Sequence, residues 1–243
     1  MNAITVTNLT RKFGKFIAVN GINFTVEQGE IFGFLGPNGS GKSTTIRMLC
    51  GIIESTSGYA TVGGYDINKQ SEKVKENIGY MSQKFSLYED LTVEQNIDFY
   101  SGIYNISKDS KQERKNWILE MAGLKGKEKM TPKALSGGWK QRLALGCAVI
   151  HQPKIIFLDE PTAGVDPISR RNFWDLIQDL AQQGITIFVT THYMDEAEHC
   201  NRLAFIYYGD LISMGTPREL KKGNQPLEEV FVNLINEHDS KGS

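Results

Sequence analysis

The sequence predicts an α/β fold on a largely parallel sheet. Three observations carry that prediction: short apolar runs bounded by glycine or carboxylates, stretches of helical periodicity between them, and one glycine-rich loop joining an early run to the helix behind it. The first run, Ile31-Phe32-Gly33-Phe34-Leu35, is entered through the Gly29-Glu30 turn and has the unbroken apolar character of a strand buried on both faces. Lys154-Ile155-Ile156-Phe157-Leu158 and Ile185-Thr186-Ile187-Phe188-Val189 repeat the pattern late in the chain, and Leu203 to Tyr208 reads as one more.

Ahead of this core, Ile4 and Val6 alternate with Thr5 and Thr7, and Ile22, Phe24 and Val26 alternate with polar neighbours, the period of half-buried strands. Thr44 to Cys50 reads as a short helix with Ile46, Leu49 and Cys50 on one side. The stretch from about 85 to 149 is helix-rich and polar, and its charge-dense piece from Lys108 to Lys115 reads as a solvated face. Phe173, Leu176, Ile177 and Leu180 recur at helical spacing up to Gly184, a stop signal. After Pro226, Leu227, Val230, Phe231, Leu234 and Ile235 mark an amphipathic helix that packs on the core or docks to a partner. Residues from Asp239 onward are read as disordered.

Composition narrows the function. The 243 residues are 40% hydrophobic and 23% charged, enough for one substantial core or two joined lobes. A formal charge of −1, from 27 basic and 28 acidic side chains, argues against a nucleic-acid protein that relies on a general basic field. No apolar stretch approaches the roughly 20 residues that cross a bilayer, and Met1-Asn2-Ala3-Ile4-Thr5 reads as no secretion signal. The expectation is a cytoplasmic chain that needs another chain to cross any membrane it serves. Cys50, Cys147 and Cys200 are scattered without paired spacing, as buried thiols in a reducing compartment would be, and the four histidines show no metal-ligand spacing.

The loop Gly36-Pro37-Asn38-Gly39-Ser40-Gly41-Lys42-Ser43 fills every fixed position of the phosphate-loop pattern. A triphosphate needs many donors at close range, and backbone N–H groups supply them only where side chains do not block approach. The helix that follows points its positive end at the phosphates, so Lys42 is expected on the β- and γ-phosphates and Ser43 on Mg²⁺, with Thr44 in the same binding segment. Asp159 and Glu160 close the run Ile155-Ile156-Phe157-Leu158, at the strand end where open α/β sheets gather ligands. Asp159 is placed to hold Mg²⁺, directly or through water. Glu160 is placed to orient and deprotonate an attacking water.

With these motifs, Leu135-Ser136-Gly137-Gly138 makes the chain resemble the ATP-binding cassette family over nearly its whole length. The resemblance implies a P-loop NTPase core with a mixed or parallel sheet, an N-terminal antiparallel β subdomain and an inserted α-helical subdomain. The cassette would span residues 1–220, with the helical subdomain at about 85–150, and 221–243 would hold the terminal helix and tail. The resemblance further implies that Ser136, Gly137 and Gly138 bind the γ-phosphate held by an opposite subunit, with Asp166 of Ala163-Gly164-Val165-Asp166 also crossing over. Gln83 would contact Mg²⁺ and water, His192 would reach the γ-phosphate, and Phe13 would stack on adenine, with Phe16 as the alternative. Two positions depart from the pattern: Trp139 stands where glutamine is usual and Ala163 where serine is common.

The function implied is ATP hydrolysis, with ATP and Mg²⁺, in a two-subunit nucleotide sandwich that powers a separate membrane permease. The wording around Gly137-Gly138-Trp139-Lys140-Gln141-Arg142-Leu143 and Thr191-His192-Tyr193-Met194-Asp195-Glu196 resembles bacterial drug exporters. The second subunit is either an identical copy or a different chain; the expected place is peripheral, at the inner face of the cell membrane. Phe85, Leu87, Tyr88 and Leu91 form either a groove for the permease or ordinary core. The alternative is a soluble cassette ATPase acting on ribosomes or DNA. Against it, one cassette is present where ribosome-acting relatives carry two, and residues 44–134 hold no coiled coil. A small-molecule kinase would need neither Ser136-Gly137-Gly138 nor His192.

Overall fold

The structure, a computed structural model, describes every residue except 85, 222, 224 and 243, and the side chains up to 240. β1 (Asn2–Phe13) and β2 (Phe16–Glu27) form a long antiparallel hairpin. With β4 (Ser57–Val62) and β5 (Tyr65–Asp66) they make a four-stranded sheet in the order β2-β1-β4-β5. Ile4 to Thr7 and Ile22 to Glu27 alternate buried and more exposed side chains, as the sequence predicted, while bulges interrupt the period elsewhere in the hairpin.

The second sheet has six strands in the order β10-β9-β3-β8-β7-β6. Here β3 (Ile31–Leu35), β6 (Ile78–Met81), β7 (Ile155–Asp159), β8 (Thr186–Thr191) and β9 (Arg202–Tyr207) run parallel, and β10 (Asp210–Gly215) closes one edge antiparallel to β9. β3, β7 and β8 are buried at every residue, which explains their unbroken apolar runs. In this sheet β6 and β10 are the strands not anticipated, as β4 and β5 are in the first. Gly79 weakens the strand signal of β6; the half-exposed side chains of β10 blur its alternation.

The core lies on both faces of the parallel sheet. Towards the antiparallel sheet and α1 (Lys42–Leu49), Phe24, Phe32, Phe34 and Phe157 gather around Phe188, with ring centroids 5.4–6.0 Å from it. On the other face lie α5 (Gly137–Val149), α6 (Pro167–Gln182) and α8 (Leu227–Gly242), with Leu145, Phe173, Trp174, Ile177 and Phe231 in one cluster. Trp174 rather than Leu176 completes the fully buried stripe of α6. α2 (Ser71–Asn77) and α7 (Pro217–Leu220) are short connectors.

A third cluster, including Val93, Ile97, Ile118, Leu143 and Cys147, holds α3 (Val93–Ile103), α4 (Lys108–Met121) and α5 together as a helical lobe. α3 begins with a capping box on Thr92, and α4 with Ser107 bonded to the Ser110 amide. The charged piece at the start of α4 is solvated, as expected, at Lys108, Asp109, Ser110, Gln112 and Glu113, while Arg114 and Lys115 turn inward. Lys115 Nζ lies 2.7 Å from Asp98, and the Arg114 guanidinium donates to the Ile150 and Val149 carbonyls, capping the end of α5.

All three cysteines are buried and free, as expected. The terminal segment departs from the expectation of disorder beyond Asp239: α8 runs to Gly242, pinned by His238 against Asp210 at 3.3 Å and by Phe231 against Phe205. No described helix is long and apolar enough to cross a membrane.

Candidate nucleotide site

The phosphate loop leaves β3 and enters α1, and close backbone approach at two glycines sets its shape. A Cβ on Gly36 would sit 2.2 Å from the Ile206 carbonyl oxygen. Gly41 has φ +109°, and a Cβ there would sit 2.4 Å from the Ala18 carbonyl oxygen. The loop is thus clamped between β9 and β2. Ser40 Oγ is buried with no hydrogen-bond partner among the described residues.

Lys42 folds back over the loop and donates to the Gly36 and Pro37 carbonyls at 2.8 and 3.0 Å. Its Nζ also lies 3.0 Å from Glu160 Oε1. Both side chains are buried, so each charge depends on the other. Glu160 Oε2 in turn lies 3.3 Å from His192 Nδ1 and accepts from Gln83 Nε2 at 3.2 Å. Three strand ends produce this convergence: β7 delivers Asp159 and Glu160, β6 leads to Gln83, and β8 leads to His192.

Ser43 Oγ donates to Asp159 Oδ1 at 3.0 Å, and Thr190 Oγ1 donates to the same oxygen at 2.9 Å. Burial raises the Asp159 carboxyl above its ordinary range, opposed by the bonds from Thr190 and Ser43. Hydroxyl and carboxylate oxygens are the donors a hard cation takes. No group of three His, Cys, Asp or Glu side chains fit to hold a metal occurs among the described residues. The set therefore suits an ion that keeps waters and phosphate oxygens as its other ligands, as Mg²⁺ does.

Lys42, Ser43, Gln83, Asp159, Glu160 and His192 are thus brought together. Ser136, Gly137, Gly138, Asp166 and Phe13 are not: none makes a hydrogen bond or ion pair with that group among the described residues. Ser136 precedes α5, exposed, its side chain making no cap bond. Asp166 caps α6 by accepting from the Ser169 amide at 3.0 Å. Phe13 is half exposed under the Arg11 guanidinium, and Phe16 is more exposed. Asn38 and Gly39 form the open crown of the loop, and Thr44 is half-buried on α1.

Sequence reasoning missed Thr190, whose hydroxyl also accepts from the Glu160 amide at 3.0 Å. The signal available was its place two residues before His192, at the end of an apolar strand. A cavity of about 730 Å³ lies elsewhere, at the opposite end of the parallel strands between Trp117, Gln152, Lys154 and Thr186. Its Arg114 is already engaged by the end of α5.

A family model described as ABC transporter matches residues 19–163, which takes in the loop, the Ser136-Gly137-Gly138 turn and both carboxylates. The chain belongs to the ABC transporter family. It is 48% identical over 99% of its length to the "Probable multidrug ABC transporter ATP-binding protein YbhF" of Escherichia coli K12, of which it spans 43%. It is 39% identical over 95% of its length to the linearmycin resistance ATP-binding protein LnrL of Bacillus subtilis 168, spanning 75% of that protein. The chain thus spans less than half of the first relative's length. The fold matches, at a TM-score of 0.79 and 26% identity, a dimeric post-hydrolysis state of the ATP-binding cassette MJ0796 bound to ADP and phosphate; the match covers 88% of this chain and 98% of that one. The architecture is that of an ABC ATPase domain: antiparallel sheet, mixed core sheet and helical lobe.

Within this family frame, the unusual Trp139 is half-buried against the helical lobe, with Lys127 Nζ 4.0 Å from its ring centroid. The groove-or-core question after Gln83 divides residue by residue. Position 85 lies outside the described residues. Leu87 packs into the core, and Tyr88 is exposed with its ring against Phe99 at 4.4 Å.

Proposed function

We propose that this cassette hydrolyses ATP as one half of a head-to-tail pair and thereby powers export, of drugs or other small molecules, through a separate membrane permease. The convergence of Lys42, Gln83 and His192 on the single carboxylate of Glu160 carries this reading. A carboxylate so surrounded has the reach to hold a water and take its proton, while the lysine beside it answers phosphate charge.

In this reading the loop from Gly36 to Thr44 binds the phosphates, through backbone N–H groups at every position but Pro37, with Lys42 on the β- and γ-oxygens and Phe13 against adenine. Ser43, Asp159 and Gln83 hold Mg²⁺, which would offset the charge that develops on the phosphates. Glu160 orients and deprotonates the attacking water, and His192 steadies the γ-phosphate end. Ser136, Gly137 and Gly138, with Asp166, reach the nucleotide held by the partner copy, so pairing requires ATP and ends with hydrolysis and phosphate release. The cassette spans residues 1–220, with its helical lobe at about 85–150, and residues 221–243 form an appendage.

The multidrug and linearmycin-resistance names of the two relatives support an exporter. Such an assembly sits at the inner face of the cell membrane, without nucleic acid. Affinity purification of the tagged chain from its own cells tests the reading. A multispanning membrane protein should copurify, with ATPase activity that Glu160→Gln abolishes. Recovery with ribosomes or DNA in its place would overturn it.

A further inference from the structure

Gln141 lies on α5, five residues beyond Ser136, and its side chain is fully buried. Its Nε2 donates to the Pro161 carbonyl at 2.7 Å, one residue past Glu160. Its Oε1 has no hydrogen-bond partner among the described residues. Packing alone would be served better by an apolar side chain, which would leave no amide oxygen unpaired. The position is therefore defined by the one bond it makes.

That bond falls at a strained place. Glu160 has φ +47°, a conformation that a non-glycine residue keeps only where its surroundings impose it. The Glu160 amide is held by Thr190, through the carbonyl at 3.2 Å and the hydroxyl at 3.0 Å. Gln141 holds the carbonyl of the next residue. Thr162 continues the line by donating to the buried Glu196 carboxylate at 2.5 Å. The start of α5 also abuts the start of α6, because a Cβ on Gly138 would sit 2.6 Å from Ser169 Oγ. The turn at Ser136 and the backbone at Glu160 are thus parts of one packed unit.

On the proposed reading, on which this inference rests, Ser136 serves the nucleotide held by the partner while Glu160 serves the chain's own. We infer that Gln141 is a positioning residue that couples these two nucleotide sites, by fixing the Glu160 backbone to the helix that carries the Ser136 turn. Docking of the partner's nucleotide on Ser136 sets α5, and the Gln141–Pro161 bond passes that setting to the Glu160 carboxylate. Each subunit then links the two nucleotides of the sandwich without touching either through Gln141 itself.

The experiment is Gln141→Met, which keeps the length of the side chain and removes its donor. Steady-state ATPase activity is measured against ATP concentration. The Hill coefficient should fall from about 2 towards about 1. Misplacement of Glu160 should lower kcat about tenfold. Fluorescent ADP should still bind dilute protein with an affinity no weaker than wild type, since the phosphate loop is untouched and a displaced Glu160 competes less for Lys42. If Gln141→Met does not fold, Gln141→Asn, one methylene too short to reach Pro161, takes its place. Wild-type cooperativity and kcat in either variant would overturn the inference, even with a lowered Tm. Glu160→Gln, run in parallel, separates the two failures. If it does not pair on ATP, the sandwich itself is wrong; if it pairs and Gln141→Met stays cooperative, only the coupling through Gln141 is wrong.

Discussion

Replacing Glu160 by glutamine has a consequence beyond lost turnover, because Glu160 and incoming phosphate compete for one lysine. Lys42 and Glu160 are 4% and 6% exposed, and their charged atoms are 3.0 Å apart. At an effective dielectric of about 20, that separation corresponds to about 5.5 kcal/mol of attraction, most of it offset by the desolvation of both ions. A nucleotide that claims Lys42 must displace the carboxylate and bring its own negative charge beside it. Glu160→Gln removes both costs and keeps the shape. A residual gain of about 1.4 kcal/mol corresponds to about tenfold tighter binding. The assay is equilibrium titration with fluorescent ADP at protein concentrations too low for pairing, which isolates the single site from hydrolysis and from the sandwich. The variant should bind about tenfold more tightly while its ATP turnover drops by about 10² to 10⁴. Unchanged or weaker ADP binding would refute the competition between Glu160 and phosphate for Lys42.

Two further predictions follow from neighbouring features. Gly41→Ala places a Cβ 2.4 Å from the Ala18 carbonyl at φ +109°; backbone strain and overlap together should cost about 2–4 kcal/mol and lower Tm by several degrees in thermal unfolding, with nucleotide affinity lost in parallel. His151 stacks on Tyr104 at 3.7 Å, and burial pushes its pKa down to about 4, against a bond to the Ile78 carbonyl that raises it. The unfolded chain therefore binds the extra proton between pH 6.5 and pH 4. Stability is fully present above the upper value and falls as the pH drops through that window, by on the order of 1 kcal/mol at pH 5 after allowance for the exposed ring edge. Urea denaturation at pH 7.5 and pH 5 should show this loss in the wild type and a smaller loss in His151→Phe.

What could be read from the sequence tracks how local each signal is. β3, β7 and β8 were legible because burial on both faces writes a continuous apolar run, and the phosphate loop because its glycines sit at fixed spacing. The meeting of Gln83, Glu160 and His192 was not legible as geometry, since it depends on the order in which β6, β7 and β8 pair. Thr190, Gln141 and Thr162 went unread for a related reason: each bonds to a group 20 to 34 residues away, and a lone threonine or glutamine carries no pattern. The length of α8 was misread because its last turns are polar, while the contacts that anchor the helix come from β9 and β10. For Ser136 and Asp166, sequence resemblance still says more than one chain's geometry, since each lies at an exposed helix start.

The central claim is that ATP is clasped between two copies, and sedimentation velocity of the Glu160→Gln protein tests it most directly. The account predicts a monomer without nucleotide, a dimer with saturating ATP, and a monomer again when Ser136→Ala is added. A Glu160→Gln protein that stays monomeric in ATP, or one whose dimer is indifferent to Ser136→Ala, would contradict it.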